Sequence, residues 1–403
     1  MSPFIFAVTL TFAILALGIL RRRYFHPLSR FPGPFLGSVT SLYQTYWHVH
    51  PNKTLHDTEL HRKYGPIVRY SPNGLIVNDP ALLPVIYNRR ANKTDFYAPV
   101  FDTHSTFTRK DYREHVASRK AISHAVGFLA FFRTEYSYGL VLLMIIFKQY
   151  SVTNTRLFEP QVDGILSELA GSSVTPSQLA RVIFHISRNF KVQEKLYEEL
   201  VAAEQDGRIP PLSAIISDEQ AHRLPFLSAC IREAQRYAPT MSQLPRYAPE
   251  GTGLELHEQY VPPGTSVSTS PWIIGRNKDL YGEDANSFRP ERWLEASPEE
   301  ERRWDHFSFH FGYGARKCLA NNFGLMQLYK VAAEVCAYPI RCLLRYRAHH
   351  ECRYFVVLKL KLKGRTRIQS VEGRLRVPGF ALIAEQDPGH KHNGYINMDL
   401  FRA

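Results

Sequence analysis

An apolar run opens the chain. Pro3 to Leu20 holds 18 residues without a charge, and Arg21, Arg22 and Arg23 follow at once. At 1.5 Å per residue such a run nearly crosses a hydrocarbon core, with the arginine cluster on the cytosolic side. A cleaved signal peptide would place its positive charge before the apolar run and small residues after it. Here the charge follows, which predicts a single membrane anchor over residues 1–23. The next segment, FHPLSRFPGPFLG (25–37), holds Pro27, Pro32 and Pro34, and predicts a short stiff hinge over 24–37 instead of more helix.

Beyond the hinge the period changes every few residues. Ile67–Tyr70 and Leu75–Val77 are short apolar runs separated by Ser-Pro-Asn-Gly, which predicts a β-hairpin; Asp79-Pro80 ends it and a helix should follow. Residues 111–125 have a helical pattern. Residues 126–150 are strongly apolar, but Arg133 and Glu135 interrupt them, which favours a buried helix pair over a second membrane segment. Gln161–Ala203 reads as helix with a break near Ser172–Pro176, and the charged stretch at its end predicts an exposed helix closed by Gly207. PFLSACIREAQRY (225–237) is an amphipathic helix, and residues 319–338 are helical again. Between them, Pro239–Pro290 is rich in Pro and Gly with short strand-like pieces, and VVLKLKLK (356–363) alternates as a half-exposed strand does. The pattern as a whole predicts a mainly α protein with small β-sheets (α+β).

Composition narrows the class. In 403 residues, 44% hydrophobic and 13% aromatic, there is enough apolar material for one large core or two ordinary ones. The formal charge of +13 is concentrated: residues 341–367 carry nine Lys/Arg against one acid, Glu351. The remainder is mildly basic and holds no nucleic-acid motif, so a membrane surface is the expected anionic partner and nucleic acid is not. Five cysteines (Cys230, Cys318, Cys336, Cys342, Cys352) with no CxxC spacing argue against a disulfide framework and against a zinc site.

One cysteine has unusual neighbours. FGYGARKCLA (311–320) sets Cys318 after Gly312, Gly314 and Arg316 and just before a predicted helix. Backbone N–H groups at a turn and a helix start stabilise a thiolate. Glycines let backbone approach a flat ligand, and Arg316 can reach a carboxylate at that ligand's rim.

Phe311, Gly314, Arg316, Cys318 and Ala320 fit F-x-x-G-x-R-x-C-x-[AG], and here the chain resembles the cytochrome P-450 (heme-thiolate) family. Glu233-x-x-Arg236 on the amphipathic helix and Pro290-Glu-Arg-Trp293 later in the chain stand in the family's order and spacing. The resemblance implies a cytochrome P-450 fold in which Glu233, Arg236 and Arg292 form a buried structural network. It also implies Cys318 as axial ligand to the iron of heme b, Phe311, Gly314 and Arg316 in the cofactor loop, and His115, Arg119 and Arg246 as propionate partners. The anchor, the PGP segment and KYGPIVRYSPN resemble microsomal, fungal-type members. This implies a cytosolic catalytic domain (38–403) on the endoplasmic reticulum membrane, served by an NADPH-cytochrome reductase.

Two departures qualify the match. Where the family carries [AG]-G-x-[DE]-T, this chain has Ala170-Gly-Ser-Ser-Val-Thr175, so Ser173 replaces the acid, Val174 the threonine, and Thr175 lies about 100° further round the helix. Ser173 and Thr175 are the candidate proton-relay residues, and Pro176 predicts a kink. Only about fifty residues separate Arg119 from Gly171; family members have well over a hundred. Part of the helical roof is therefore expected to be missing, with 126–158 and 340–403 atypical. The activity implied is hydroxylation of a small apolar molecule, plausible in secondary metabolism. The alternatives are a heme-thiolate isomerase or dehydratase, an inactive truncated heme protein, or a basic membrane-surface adaptor.

Overall fold

A computed structural model describes residues 3–97, 106–131, 174–211, 214–241, 243–349, 376–377 and 380–381. The expectations for Ala170–Ser173, for 132–158, for the first part of the 161–203 helix and for the 356–363 strand lie outside the described residues.

Helix α1 (Pro3–Tyr24) is the apolar run, exposed from Phe4 to Arg22, with a mean hydropathy of 2.2 over its apolar window. It is long and apolar enough to cross a membrane. The proline-rich segment that follows folds onto the globule, because Leu28 and Phe31 enter the main core fully buried. Short helices α2 (Phe35–Val39), α3 (Leu42–Val49) and α4 (Lys53–Tyr64) lead to the hairpin β1 (Ile67–Ser71) and β2 (Gly74–Val77), where the sequence predicts it. The Asp79 carboxylate accepts from the Ala81 N–H at 2.8 Å and starts a 3-10 turn that runs into α5 (Leu83–Ile86). Helix α6 (Tyr112–Phe131) covers the 111–125 pattern and extends past it.

The long helical pattern of 161–203 is two helices where it is described: α7 (Val174–Arg188) and α8 (Phe190–Gln205). Asn189 makes the break. Its backbone leaves the helical region (φ −117°, ψ 101°) and its side chain accepts from the Val192 N–H, capping α8. The charged stretch of α8 is exposed on one side, but Val192, Leu196, Leu200 and Ala203 are buried, so the helix is amphipathic and closes at Gly207 with φ +70°. Next come α9 (Asp218–His222) and α10 (Pro225–Tyr237), the latter with the predicted boundaries.

The proline- and glycine-rich region supplies β3 (Arg246–Tyr247), the hairpin β4 (Leu254–Leu256)/β5 (Gln259–Val261), and β6 (Ser266–Ser268). A four-stranded sheet runs β1-β2-β6-β3: β2 and β6 are parallel, with Leu75 opposite Val267, and β3 is antiparallel to β6. Four short helices follow: α11 (Pro271–Ile274), α12 (Lys278–Tyr281), α13 (Arg292–Glu295) and α14 (Pro298–Phe307). Helix α15 (Asn321–His349) runs beyond its predicted end at 338.

Among the described residues two large apolar cores share the work, beside a small cluster of Leu60, Val68, Tyr70 and Ile76. One gathers the sheet, α5 and the loops around Trp304 and Phe309; the other packs α7, α8, α9, α10 and α15 through Val182, Leu196, Leu227, Ile231 and Leu328. Burial of each such aliphatic side chain contributes about 1.5–3 kcal/mol before entropy is counted. Helix α10 belongs to the second core on one face and turns its other face to the loops of the first.

His185, on α7, stacks on Phe288 with ring centroids 5.0 Å apart and meets Tyr237 edge-on. Burial, then the charges of Arg276, Arg181 and Arg188, push its pKa from 6.5 down to about 4, against a weak opposing pull from Glu233. The imidazole is thus neutral in the fold and protonates more readily when unfolded. Its contribution is complete above pH 6.5 and is lost as pH falls towards about 4. Denaturant titrations over that range should show a shallower acid loss of stability in His185→Phe than in the parent chain; equal slopes would refute this.

Candidate heme-thiolate site

The site begins with a loop that folds on itself. The Cys318 N–H donates to the Phe311 carbonyl at 2.8 Å, Lys317 N–H to Gly314 O at 3.0 Å, and Gly312 N–H to Phe309 O at 3.0 Å. Two left-handed residues make this possible, Gly312 (φ +76°) and Gly314 (φ +64°). Gly314 is required twice over, since a Cβ there would stand 2.6 Å from the Tyr87 carbonyl oxygen. Helix α15 starts three residues after Cys318. Burial raises the Cys318 thiol above its ordinary range, while the Ala320 N–H and the charges of Arg119 and Lys317 pull against it. The residue as a whole is exposed.

Around this loop the fold gathers bases. Lys93 and Arg246 are paired in an isolated antiparallel bridge that extends the sheet past β3, and both are 4% exposed. Lys93 Nζ donates to the Thr106 and Phe107 carbonyls at 3.0 and 2.6 Å. Arg246 donates to the Tyr97 hydroxyl at 2.7 Å. Arg316 reaches the Asn92 amide oxygen (3.2 Å) and the Lys110 carbonyl (3.0 Å), while its Nε has no partner. His115 and Arg119 stand one turn apart on α6. Arg119 donates to the Lys317 carbonyl next to the cysteine (2.6 Å), and His115, 2% exposed, has an unpartnered Nδ1. Among the described residues, no carboxylate forms an ion pair with Lys93, His115, Arg119, Arg246 or Arg316.

The electrostatics record the crowding. Burial, then Arg246 and Arg316, depress Lys93 to about 7. Burial, then Lys93, Arg316, Arg119 and Arg246, depress His115 to about 3. The positive charges work against one another across one small volume, which is the condition of a site awaiting an anion.

A second buried cluster is closed. Glu233 is fully buried on α10. It accepts Arg236 Nε and Nη2 at 2.8 and 2.7 Å, Arg292 Nε at 3.2 Å, the Arg289 N–H at 2.8 Å and the Trp293 indole N–H at 3.0 Å. Arg236 spends its remaining donors on the carbonyls of Gly275, Ala285 and Ser287. Arg292 spends its own on Tyr281 O, Ser287 O and both the carboxylate and carbonyl of Asp284. Every donor of both guanidinium groups has an acceptor, and two carboxylates meet the two positive charges.

The structure therefore brings together Cys318, Arg316, Phe311, Gly314, His115, Arg119 and Arg246 in one place, and Glu233, Arg236 and Arg292 in another. Thr175 lies in the first described turn of α7, its hydroxyl 4.0 Å from where a Cβ on Gly324 would stand, on the side of the cysteine helix. Ser173 lies outside the described residues. Sequence reasoning missed Lys93, Asn92 and Tyr97, because a lysine in a loop with no periodic pattern reads as solvated. It also missed the Trp293 indole and Asp284; the Trp closing P-E-R-W was the available signal for the first.

The residues present suit an iron porphyrin. One exposed sulfur is flanked by glycine-lined backbone, and an unpartnered His115 nitrogen and Arg316 Nε lie among buried cations, as two propionates would require. Residues 162–335 match the cytochrome P-450 family model. Cytochrome P-450 monooxygenase cicH of Emericella nidulans is 24% identical over 488 aligned positions, which cover 87% of this chain and 96% of the relative. Quiannulatic acid synthase of Emericella variicolor is 24% identical over 74% of this chain and 84% of its own length. Pisatin demethylase of Fusarium vanettenii is 34% identical, but over 41% of this chain and 30% of its own length. An alignment of 488 positions exceeds the 403 residues of this chain, so cicH carries internal segments that the chain lacks.

The closed network should set the stability of the whole loop region. Arg236→Ala should cost about 3–5 kcal/mol by stranding a buried carboxylate. Trp293→Phe, which removes one donor, should cost about 1 kcal/mol. Urea denaturation reads both, and a stable, soluble Arg236→Ala protein would refute the first. With helix-rich architecture, small sheets, the cysteine loop and these relatives in agreement, residues 162–335 are a cytochrome P-450 segment, and the chain is similar to fungal cytochrome P-450 monooxygenases.

Proposed function

We propose that this protein is a membrane-anchored heme-thiolate monooxygenase that hydroxylates a small apolar molecule of fungal secondary metabolism. The observation that carries the reading is the set of five buried or half-buried bases, unpaired by carboxylates among the described residues, around the cysteine loop. In this reading Cys318 holds the iron of heme b, and Lys93, His115, Arg119, Arg246 and Arg316 face the propionates. When bound, a thiolate-ligated heme supplies reductive activation of dioxygen.

The chain's own part is binding, orientation and charge. Burial raises the Cys318 thiol above its ordinary range, while the Ala320 N–H and the positive charges of Arg119 and Lys317 act the other way, towards the thiolate. Gly312 and Gly314 allow the left-handed turns that fold the cysteine loop, and Gly314 lets it pack against the Tyr87 carbonyl. Thr175 and Ser173 are the hydroxyls of the α7 region that could pass a proton. Electrons would come from an NADPH-cytochrome reductase on the same membrane, with α1 holding the catalytic domain at the cytosolic face of the endoplasmic reticulum. Relatives named for quiannulatic acid and pisatin support a specialised metabolite as substrate.

A second reading rests on Val174, which stands where the relay threonine is expected. Without a hydroxyl there, a heme-thiolate isomerase or dehydratase needs no proton delivery to oxygen. Turnover that depends on NADPH and reductase, with a product heavier by one oxygen, favours the first reading and excludes the second.

Two measurements test the site itself. Titrated with iron protoporphyrin and with its dimethyl ester, the apoprotein should bind the free diacid at least tenfold more tightly, since charge-assisted bonds to propionates are lost in the ester. Lys93→Met should raise the rate of heme transfer to apomyoglobin about tenfold, and Cys318→Ser should abolish the thiolate-type carbon monoxide difference band. Equal affinity for diacid and ester would overturn the assignment of the cation cluster.

A further inference from the structure

Helix α3 is built inside out. Its inner face is polar: Gln44 donates to the hydroxyl of the buried Tyr70 at 3.0 Å, the Gln243 amide donates to His48 Nε2 at 2.6 Å, and the Tyr43 hydroxyl meets His56 Nε2 at 2.6 Å. Its outer face carries Leu42, Tyr46 and Val49, spaced i, i+4, i+7 along one stripe and 73, 57 and 82% exposed. A helix on a water-soluble globule turns such a stripe towards the core. Here it points to solvent. The apolar surface continues along the chain, since Phe35 and Leu36 of α2 are more than half exposed and Phe25, just past α1, is more exposed still.

These residues stay near α1 because its end is pinned to the globule twice. Arg22 Nη1 donates to the carbonyl of Val39, the last residue of α2, at 2.9 Å, and Arg69 on β1 donates to the Arg22 carbonyl at 3.1 Å. Leu42 opens α3 three residues after Val39, at most about 11 Å along the chain. Charge then selects what covers the stripe. Before Asp57 the chain holds no Asp or Glu, while Arg21, Arg22, Arg23 and Arg30 lie among these apolar and aromatic residues. Apolar, aromatic and cationic side chains without acids suit a layer of anionic lipid headgroups over acyl chains.

We propose that the outer face of α3, continued by Phe35 and Leu36, lies in the headgroup layer of an anionic membrane, as a second contact with the bilayer that α1 enters. This rests on the reading of α1 as a membrane anchor and adds to it, because two contacts hold the globule at one height and one tilt on the membrane.

The test uses the full chain in nanodiscs of phosphatidylserine and phosphatidylcholine, the latter either plain or brominated near the top of its acyl chains, where bromine quenches tryptophan emission on contact. The emission that Val49→Trp adds to that of the parent should fall at least about twofold in the brominated discs, as for an interfacial side chain. Emission added by Tyr197→Trp, an exposed position on α8 in the other core, should not change. Combining Val49→Trp with Leu42→Glu and Tyr46→Glu, both at exposed positions, should abolish the fall. A chain recovered with the discs in which Val49→Trp is unquenched, or is quenched no more than Tyr197→Trp, overturns this proposal alone. So does quenching that survives the two glutamates. Shielding of the new tryptophan from aqueous acrylamide that grows with chain concentration, without quenching by lipid, would place a second copy on the face and also overturn it. A chain not recovered with the discs overturns the anchor reading and this proposal together.

Discussion

A guanidinium or ammonium group taken out of water must be met by negative charge or by enough carbonyl oxygens, and this chain meets that demand in two opposite ways. Around Glu233 the account is closed: Arg236 and Arg292 use every donor they have, and two carboxylates balance two positive charges. Around the cysteine loop the demand is left open. Lys93, His115, Arg119, Arg246 and Arg316 press on one another and lean on backbone carbonyls, an asparagine and a tyrosine. Among the described residues one buried cluster is closed so completely that the other, without acids, stands out as lacking an anion. In the proposed function two heme propionates would supply that charge, and the nearby Cys318 sulfur would hold the iron.

The closed cluster also explains how the open one keeps its shape. Glu233 ties α10, in the helical core, to the backbone of Arg289 and the indole of Trp293, in the loops of the other core. Those loops continue through α14 into Phe309 and the cysteine turn, and Phe309 packs 4.9 Å from Tyr87, whose carbonyl lies against Gly314. The position of Cys318 is therefore inherited from a hydrogen-bonded seam some eighty residues upstream. This is why loss of one network arginine should be felt at the sulfur, although none of the three network residues touches it.

Much of this was legible before any coordinates. The hairpin at 67–77 and the helix at 225–237 follow from alternating or amphipathic patterns bounded by proline, glycine or turn residues, and local physics is enough to place them. Cys318 and Arg316 were found because their neighbours are chemically odd for a surface loop, and the E-x-x-R helix because its order and spacing with Pro290-Glu-Arg-Trp293 resemble the family. Asn189 was missed, since one asparagine inside a strong helical pattern looks like a tolerated guest until its side chain is seen to cap the next helix. Lys93 was missed for a deeper reason. Its importance arises from a backbone bridge to Arg246, 153 positions away, and no local period encodes a pairing of that range.

That same bridge ties the open cationic cluster to the sheet. Arg69 lies on β1, at one edge of the sheet, and Arg246 on β3, at the other, with β2 and β6 between them. Three strand spacings separate the edges by roughly 14 Å. Strands held by backbone hydrogen bonds and buried on Leu75 and Val267 do not slide, because a shift of one residue would turn every apolar side chain out of the core. The edge that meets the foot of α1 and the edge that meets the cofactor loop are therefore fixed in distance and orientation.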